Sequence, residues 1–274
     1  MNDVVSHNRA AWNRESASGE SRWCQPVSTK VIANARSGDW SVILTPSIAT
    51  PASWLGDIRG KRVLCLASGG GQQAPVLAAA GAYVTSFDNS DEQLARDEFV
   101  ADREGLDIKL VQGDMADLSC FEVAEFDLIF NPVSNVFVPD VLEVWRECSR
   151  VLAESGRLLS GFMNPDFYLF DHAAIDAGGP LVAINKLPYS DVLNLTEEEL
   201  AARRQQGLAF EFSHSLDAQI AGQIGAAFVI AGFYEDRWED AATALNAYMP
   251  TSMATLALKI RSAESDFIPP AAPL

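Results

Sequence analysis

Three consecutive glycines, Gly69-Gly70-Gly71, follow the apolar run Val63-Leu-Cys-Leu-Ala67, and Asp88 closes a second strand-like stretch, Tyr83-Val-Thr-Ser-Phe87. Glycine lacks a Cβ and tolerates φ > 0, so such a turn can be tight and can aim backbone N–H groups at a bound molecule. A glycine turn alone also serves as a plain connection. The acid is what points to a ligand: a carboxylate about 20 residues past such a turn stands where ribose hydroxyls are held. The chemistry implied is that of a nucleoside-bearing cofactor.

Other chemically capable residues are scattered. His172, and His214 just before Ser215, are candidate bases; a surface or capping role is the plainer alternative for a single histidine. His7, Trp12 and Trp23 could fold over a pocket, or be solvated or core-packed. Asp166, Asp171 and Asp176 share no ligand spacing, so no metal site is expected. Phe167-Tyr-Leu-Phe170 could line an apolar pocket or pack its own segment down.

Elements must position these groups. Strands are expected at Arg62–Leu66, Tyr83–Phe87, Ile108–Val111, Phe126–Phe130 and Arg157–Phe162, with helices between them. Gln72–Ala80 carries Pro75 in its first turn and Gly81 past its end. Ser90-Asp-Glu-Gln93 has the form of a capping box, with Gln93 reaching back to Ser90. Val138, Val141, Leu142, Trp145, Cys148 and Leu152 recur at helical spacing and predict one buried stripe. Alternating strands and helices predict a parallel sheet covered on both faces. Residues 163–213 interrupt that alternation, with a second capping-box pattern at Thr196-Glu-Glu-Glu199. It resumes with a helix near Ser215–Gly225, a strand at Ala227–Tyr234, a helix or turn near Asp240–Tyr248 and a strand at Met253–Ile260. The organisation expected is an N-terminal cap (1–60), a cofactor-binding core (61–162), an insertion or lid (163–213), the rest of the core (214–262) and an irregular tail (263–274).

Composition narrows the function classes. A net charge of −17 repels a nucleic-acid backbone, and 48% hydrophobic residues allow a real core. No apolar stretch of about 18 residues occurs, so no membrane span is expected. The start has no signal-peptide form, and Cys24, Cys65, Cys120 and Cys148 show no CxxC pairing. A soluble protein in a reducing cytoplasm is the expectation; oligomeric state is not legible.

Residues 61–162 resemble the class I S-adenosylmethionine-dependent methyltransferases, in their small-molecule, type 11-like branch. Val63-Leu-Cys-Leu-Ala-Ser-Gly-Gly-Gly71 resembles that family's first motif, which cradles the methionine part of the cofactor. The resemblance implies contacts from Ala67, Ser68, Gly69, Gly71 and Gln73. Asp88 and Asn89 resemble the ribose-binding motif. Gly113-Asp-Met-Ala-Asp117 resembles the adenine region, with Gly113, Asp114 and Met115 as contacts. Phe126-Asp-Leu-Ile-Phe-Asn-Pro132 resembles the fourth motif, placing Asn131 and Pro132 toward the methyl group.

The fold implied is a doubly wound, Rossmann-like, seven-stranded, mostly parallel sheet with an antiparallel last strand. The function implied is methyl transfer from S-adenosylmethionine to a small-molecule acceptor. There are departures. The first motif usually has an acid where Cys65 stands and a glycine where Ala67 stands. Asn131-Pro-Val-Ser134 lacks the second proline and the aromatic residue of the amide and exocyclic-amine methyltransferases, and Asn135-Val-Phe137 stands where related small-molecule enzymes carry a histidine. A sulfonium is already electrophilic, so alignment and water exclusion are the protein's main work and a general base is optional. Two alternatives stay open: a non-catalytic S-adenosylmethionine-binding protein, and a nicotinamide-dependent oxidoreductase, which the turn GGGQQ fits less well than GxGxxG.

Overall fold

Strands β1 (Arg62–Leu66), β2 (Tyr83–Asp88), β3 (Ile108–Gln112), β4 (Phe126–Asn131), β5 (Leu152–Met163), β6 (Phe228–Asp236) and β7 (Ser252–Lys259) form one sheet, ordered β3-β2-β1-β4-β5-β7-β6. The structure is a computed structural model that describes residues 2–239 and 241–260. The expected tail, 263–274, lies outside the described residues.

Strands β3, β2, β1, β4 and β5 are parallel, while β7 runs antiparallel between β5 and β6. The sheet is therefore the doubly wound, mostly parallel one expected. The chain winds outward from β1 to β3 and then returns to place β4 on the other side of β1. A crevice opens at the carboxyl ends of the strands where the winding reverses.

The helices are α1 (Asn2–Ser18), α2 (Thr29–Arg36), α3 (Ala52–Leu55), α4 (Gln73–Ala79), α5 (Asp91–Glu104), α6 (Val141–Val151), α7 (His172–Asp176), α8 (Asp191–Asn194), α9 (Glu197–Gln206) and α10 (Gly222–Gly225). Side chains of β1 alternate between the sheet faces and both faces are covered, which is why the strand reads as an unbroken apolar run. Val63 and Cys65 join Ile32, Ala74 and Leu77 on one face; Leu64 and Leu66 join Val144, Trp145 and Cys148 on the other. Of the predicted stripe, Val141, Trp145 and Cys148 are buried on α6 and Leu142 partly so, while Val138 and Leu152 are buried just outside the helix. No helix among the described residues is long and apolar enough to cross a membrane.

Boundaries differ from the sequence reading where pairing or a turn overrides periodicity. Strand β5 begins at Leu152, which pairs with Phe126; a bulge through Ser155 (φ +62°) precedes regular pairing from Arg157. Strand β6 runs on to Asp236, whose carboxylate accepts from the backbone N–H groups of Ser47 and Ile48. The Ser215–Gly225 helix is a π-helical turn, Asp217–Ala221, followed by α10.

The capping box at Ser90 forms only by half. Ser90 Oγ accepts from the Gln93 N–H, but the Ser90 N–H donates to Asp88 Oδ1 instead of to Gln93. The strand-end carboxylate outcompetes the amide, so the Gln93 side chain is free to point elsewhere. The box at Thr196 and Glu199 is complete.

Candidate functional site

A cavity of about 1060 Å³ lies over the carboxyl ends of β1, β2 and β4. Its floor begins at the turn after β1. Ala67 (φ +47°) donates to the Phe87 carbonyl at 2.7 Å, and Gly70 (φ +117°) and Gly71 (φ +77°) take conformations an L-residue rarely adopts. Successive N–H groups of the turn have protein acceptors: Gly69 donates to Asp88 Oδ2 (3.0 Å), Gly70 to the Gln93 carbonyl (3.0 Å) and Gly71 to Asp97 Oδ1 (2.7 Å). The turn is also clamped from outside. Val27 N–H donates to the Gly71 carbonyl at 2.8 Å, and Gln72 Nε2 reaches the carbonyls of Arg22 and Gln25. A Cβ on Gly70 would collide with the Trp23 carbonyl oxygen.

Asp88 stands on the cavity wall at the end of β2. Burial pushes its carboxyl up to about 6, against the N–H groups of Ser90, Gly69 and Asn89, which favour the ionised form. Asn89 lines the cavity beside it, oriented by Arg9 Nε (3.1 Å to Oδ1) and by its own donation to the Val5 carbonyl. Gly113, Asp114 and Met115 line the next stretch of wall. Gly113 is obligatory because a Cβ would strike the Phe87 ring. Asp114 Oδ1 accepts the Ala116 N–H at 3.0 Å.

Of the residues singled out from sequence, Ala67, Ser68, Gly69, Gln73, Asp88, Asn89, Gly113, Asp114, Met115, Pro132 and His172 line this cavity. Gly71, Asn131 and His214 stand behind its wall. Asn131 is fully buried: its Nδ2 donates to the Leu66 carbonyl and to Ser134 Oγ, and its Oδ1 accepts from Ser160. It ties β1, β4 and β5 together just before Pro132. His214 is buried, with Nε2 2.9 Å from the Asn135 carbonyl, and desolvation holds its pKa below the usual range. His172 stacks on Phe167 (4.0 Å between centroids) with Nε2 2.8 Å from the Phe167 carbonyl. A carbonyl only accepts, so Nε2 carries a proton in this contact, and in the neutral ring that leaves Nδ1 as the accepting nitrogen.

Five residues of the 163–213 segment share one wall of the cavity; sequence reading named Tyr168, within the Phe167–Phe170 run, and missed Tyr189, Asp191, Arg203 and Glu211. Tyr168 Oη donates to Glu211 Oε2, and Tyr189 Oη to Asp191 Oδ1, each at 2.7 Å. The two rings stack at 5.6 Å. Arg203 Nε is 2.8 Å from Asp191 Oδ2 and its Nη2 is 3.8 Å from Glu211 Oε1. Burial raises the Glu211 carboxyl, with Tyr168 and Arg203 opposing. No short spacing joins positions 168, 189, 191, 203 and 211, so no local pattern could reveal them.

Gln93 was also missed as a site residue. Its Oε1 and Ser68 Oγ are buried, lack any hydrogen-bond partner and belong to residues lining the cavity at the glycine turn. The frustrated capping box is the signal for Gln93, and it needs the Asp88 geometry to be seen. Arg203 is the one lysine or arginine among the described lining residues, against Glu15, Asp88, Asp114, Asp171, Asp176, Asp191, Glu199 and Glu211.

Comparison with known proteins adds family information. Residues 64–160 match a family described as Methyltransferase domain. The chain is 45% identical over 260 residues to the Uncharacterized methyltransferase YbaJ of Bacillus subtilis (strain 168), covering 95% of this chain and 100% of that protein. A S-adenosylmethionine dependent methyltransferase from Mesorhizobium loti has the same fold, with a TM-score of 0.56 at 18% identity, covering 76% of this chain and 94% of that one. So does the 1,6-didemethyltoxoflavin-N1-methyltransferase of Burkholderia thailandensis, solved with bound 1,6-didemethyltoxoflavin and S-adenosylhomocysteine. It has a TM-score of 0.58 at 15% identity and covers 95% of this chain and 90% of that one.

Proposed function

This chain belongs to the S-adenosylmethionine-dependent methyltransferases, and from that premise we propose which of its residues hold the cofactor and what kind of acceptor it takes. When bound, S-adenosylmethionine supplies a methyl group on a sulfonium, which the acceptor's lone pair attacks in line. The protein's residues bind, align and exclude water.

The observation that carries the assignment is the pair of orphaned buried atoms, Ser68 Oγ and Gln93 Oε1, beside a glycine turn and a strand-end carboxylate. Buried polar atoms without partners are costly, and a ligand with hydroxyl and ammonium donors satisfies them. These residues fit S-adenosylmethionine. Ala67, Ser68, Gly69, Gln73 and Gln93 surround its amino-acid end, with Gly71 supporting the turn from behind. Asp88 and Asn89 take the ribose hydroxyls, and Gly113, Asp114 and Met115 take the adenine. Pro132, set in place by Asn131, faces the methyl group.

The acceptor is a small molecule enclosed between the 1–60 cap, through Trp12 and Trp23, and the 163–213 lid, through Phe167, Tyr168 and Tyr189. It is uncharged or cationic, because the one lining arginine is already engaged by Asp191 and Glu211. An anionic acceptor would meet an acidic wall whose one arginine or lysine, among the described lining residues, is already paired, and the charge of −17 equally disfavours nucleic acid. His172 Nδ1 is the available proton acceptor where the acceptor needs one. His214 has no such role, since it stands behind the wall. Four free cysteines suit a reducing compartment such as the cytoplasm.

Calorimetry with S-adenosylmethionine and S-adenosylhomocysteine, with NAD and NADP as controls, tests the placement on the native chain and Asp88→Ala. Selective binding of the sulfur ligands that the variant loses is the expected result. Unchanged affinity in Asp88→Ala refutes it, and binding of NAD in their place revives the oxidoreductase reading.

A further inference from the structure

We infer that Asp97, reaching in from α5, supplies the carboxylate that the family's first motif carries on β1 where this chain has Cys65, and that it positions the cofactor's amino-acid end through Gly71. The inference rests on the reading of the glycine turn given above. Asp97 is fully buried and does not line the cavity. Its Oδ1 accepts the Gly71 N–H at 2.7 Å and its Oδ2 accepts Ser86 Oγ at 2.6 Å. One carboxylate thus locks a positive-φ glycine of the turn to β2. Helix α5 grips the turn twice in succession, at Gly70 through the Gln93 carbonyl and at Gly71 through Asp97.

Cys65 is fully buried on the neighbouring strand, and burial, with Asp97 adding to it, keeps its thiol protonated. An acid at both positions would bring two buried carboxylates close together, which could not both stay ionised. Cys65 and Asp97 are therefore complementary. In this chain the acid stands on the helix and a small thiol on the strand. Asp97 is a positioning residue, since it touches the turn and not the ligand.

The test compares two ligands on the full chain by calorimetry: S-adenosylhomocysteine, and 5′-methylthioadenosine, which lacks the amino-acid part. Asparagine can keep both hydrogen bonds while removing the charge. Asp97→Asn is expected to weaken S-adenosylhomocysteine about tenfold and 5′-methylthioadenosine less than about twofold, because a neutral amide holds the Gly71 N–H less strongly than a carboxylate does. Ser86→Ala, which frees one oxygen of Asp97, should give a smaller loss with the same ligand preference, and it carries the test if Asp97→Asn does not fold. In Cys65→Asp/Asp97→Asn, returning the acid to the strand should recover S-adenosylhomocysteine affinity. Equal weakening of both ligands, or of neither, overturns the inference. A native chain that binds neither ligand overturns the cofactor placement itself.

Discussion

A carboxylate that must be ionised to accept two hydroxyl hydrogens, yet is buried, imprints its titration on ligand binding. Asp88 has its pKa raised by burial to about 6, so it is protonated below that pH and ionised above. Affinity for S-adenosylhomocysteine should therefore rise as pH increases through about 6 and level off above it. Asp97, raised by burial to about 7 with Asp88 adding to the shift, lies behind the same turn. Asp88→Asn isolates the contribution: a calorimetric pH series on that variant should lose the step near 6. Since both folded pKa values lie above the ordinary carboxylate value, ionising these groups costs the ligand-free fold stability progressively between about pH 4 and 7. At Gly70 the constraint is steric. Gly70→Ala meets both a positive φ and the Trp23 carbonyl oxygen, and should cost about 1–3 kcal/mol in urea unfolding.

Elements act here by bringing distant side chains to one wall. The 163–213 segment seats α8 and α9 so that Arg203 lies between Asp191 and Glu211. The Asp191 side chain is 2% exposed, so removing Arg203 leaves a nearly buried charge held only by hydrogen bonds from Tyr189 Oη and the Glu211 N–H. Arg203→Met should destabilise by about 3 kcal/mol or more. The loss should be local, seen as faster limited proteolysis within residues 163–213 while the sheet remains resistant. Unchanged cleavage there would show that the ion pair does not hold the lid. The cap behaves similarly: α1 packs on α5, and Asn13 Oδ1 accepts from Ser90 Oγ at 2.6 Å. The cavity wall and α1 are thereby joined at the helix start beside Asp88.

Across the whole molecule, ligand binding and folding are linked. A ligand bound only by the native state stabilises by mass action, about 2.7 kcal/mol at a hundredfold excess over Kd. S-adenosylhomocysteine should therefore raise the melting temperature in a concentration-dependent way that NAD does not reproduce. The distribution of charge sets acceptor choice on the same scale. In a methyl-transfer screen with labelled S-adenosylmethionine, uncharged and amine-bearing aromatic acceptors should be turned over while their phosphorylated and carboxylated counterparts are not. Turnover confined to anionic acceptors would refute the reading of Arg203 as already engaged.

The sequence determined by itself whatever depends on near neighbours along the chain. Hydrophobic period separates strands from helices, Pro75 and Gly81 bound a helix, and consecutive glycines mark the turn after β1, where Gly70 and Gly71 take positive φ. Those local rules, with the ordered motifs from Val63 to Pro132, were enough for the sheet and for most of one cavity wall. Tertiary structure alone decided the rest. Asp88 takes the N–H that a capping box would give to Gln93, so Gln93 turns into a site residue. Asn131 and His214, polar in sequence, are consumed by buried hydrogen bonds. Asp97 stands in for an acid that is absent from its usual strand position at Cys65. Tyr168, Tyr189, Asp191, Arg203 and Glu211 meet only because the segment folds back on itself. Burial and hydrogen-bond competition depend on what packs in from elsewhere in the chain, and no spacing along the chain encodes them.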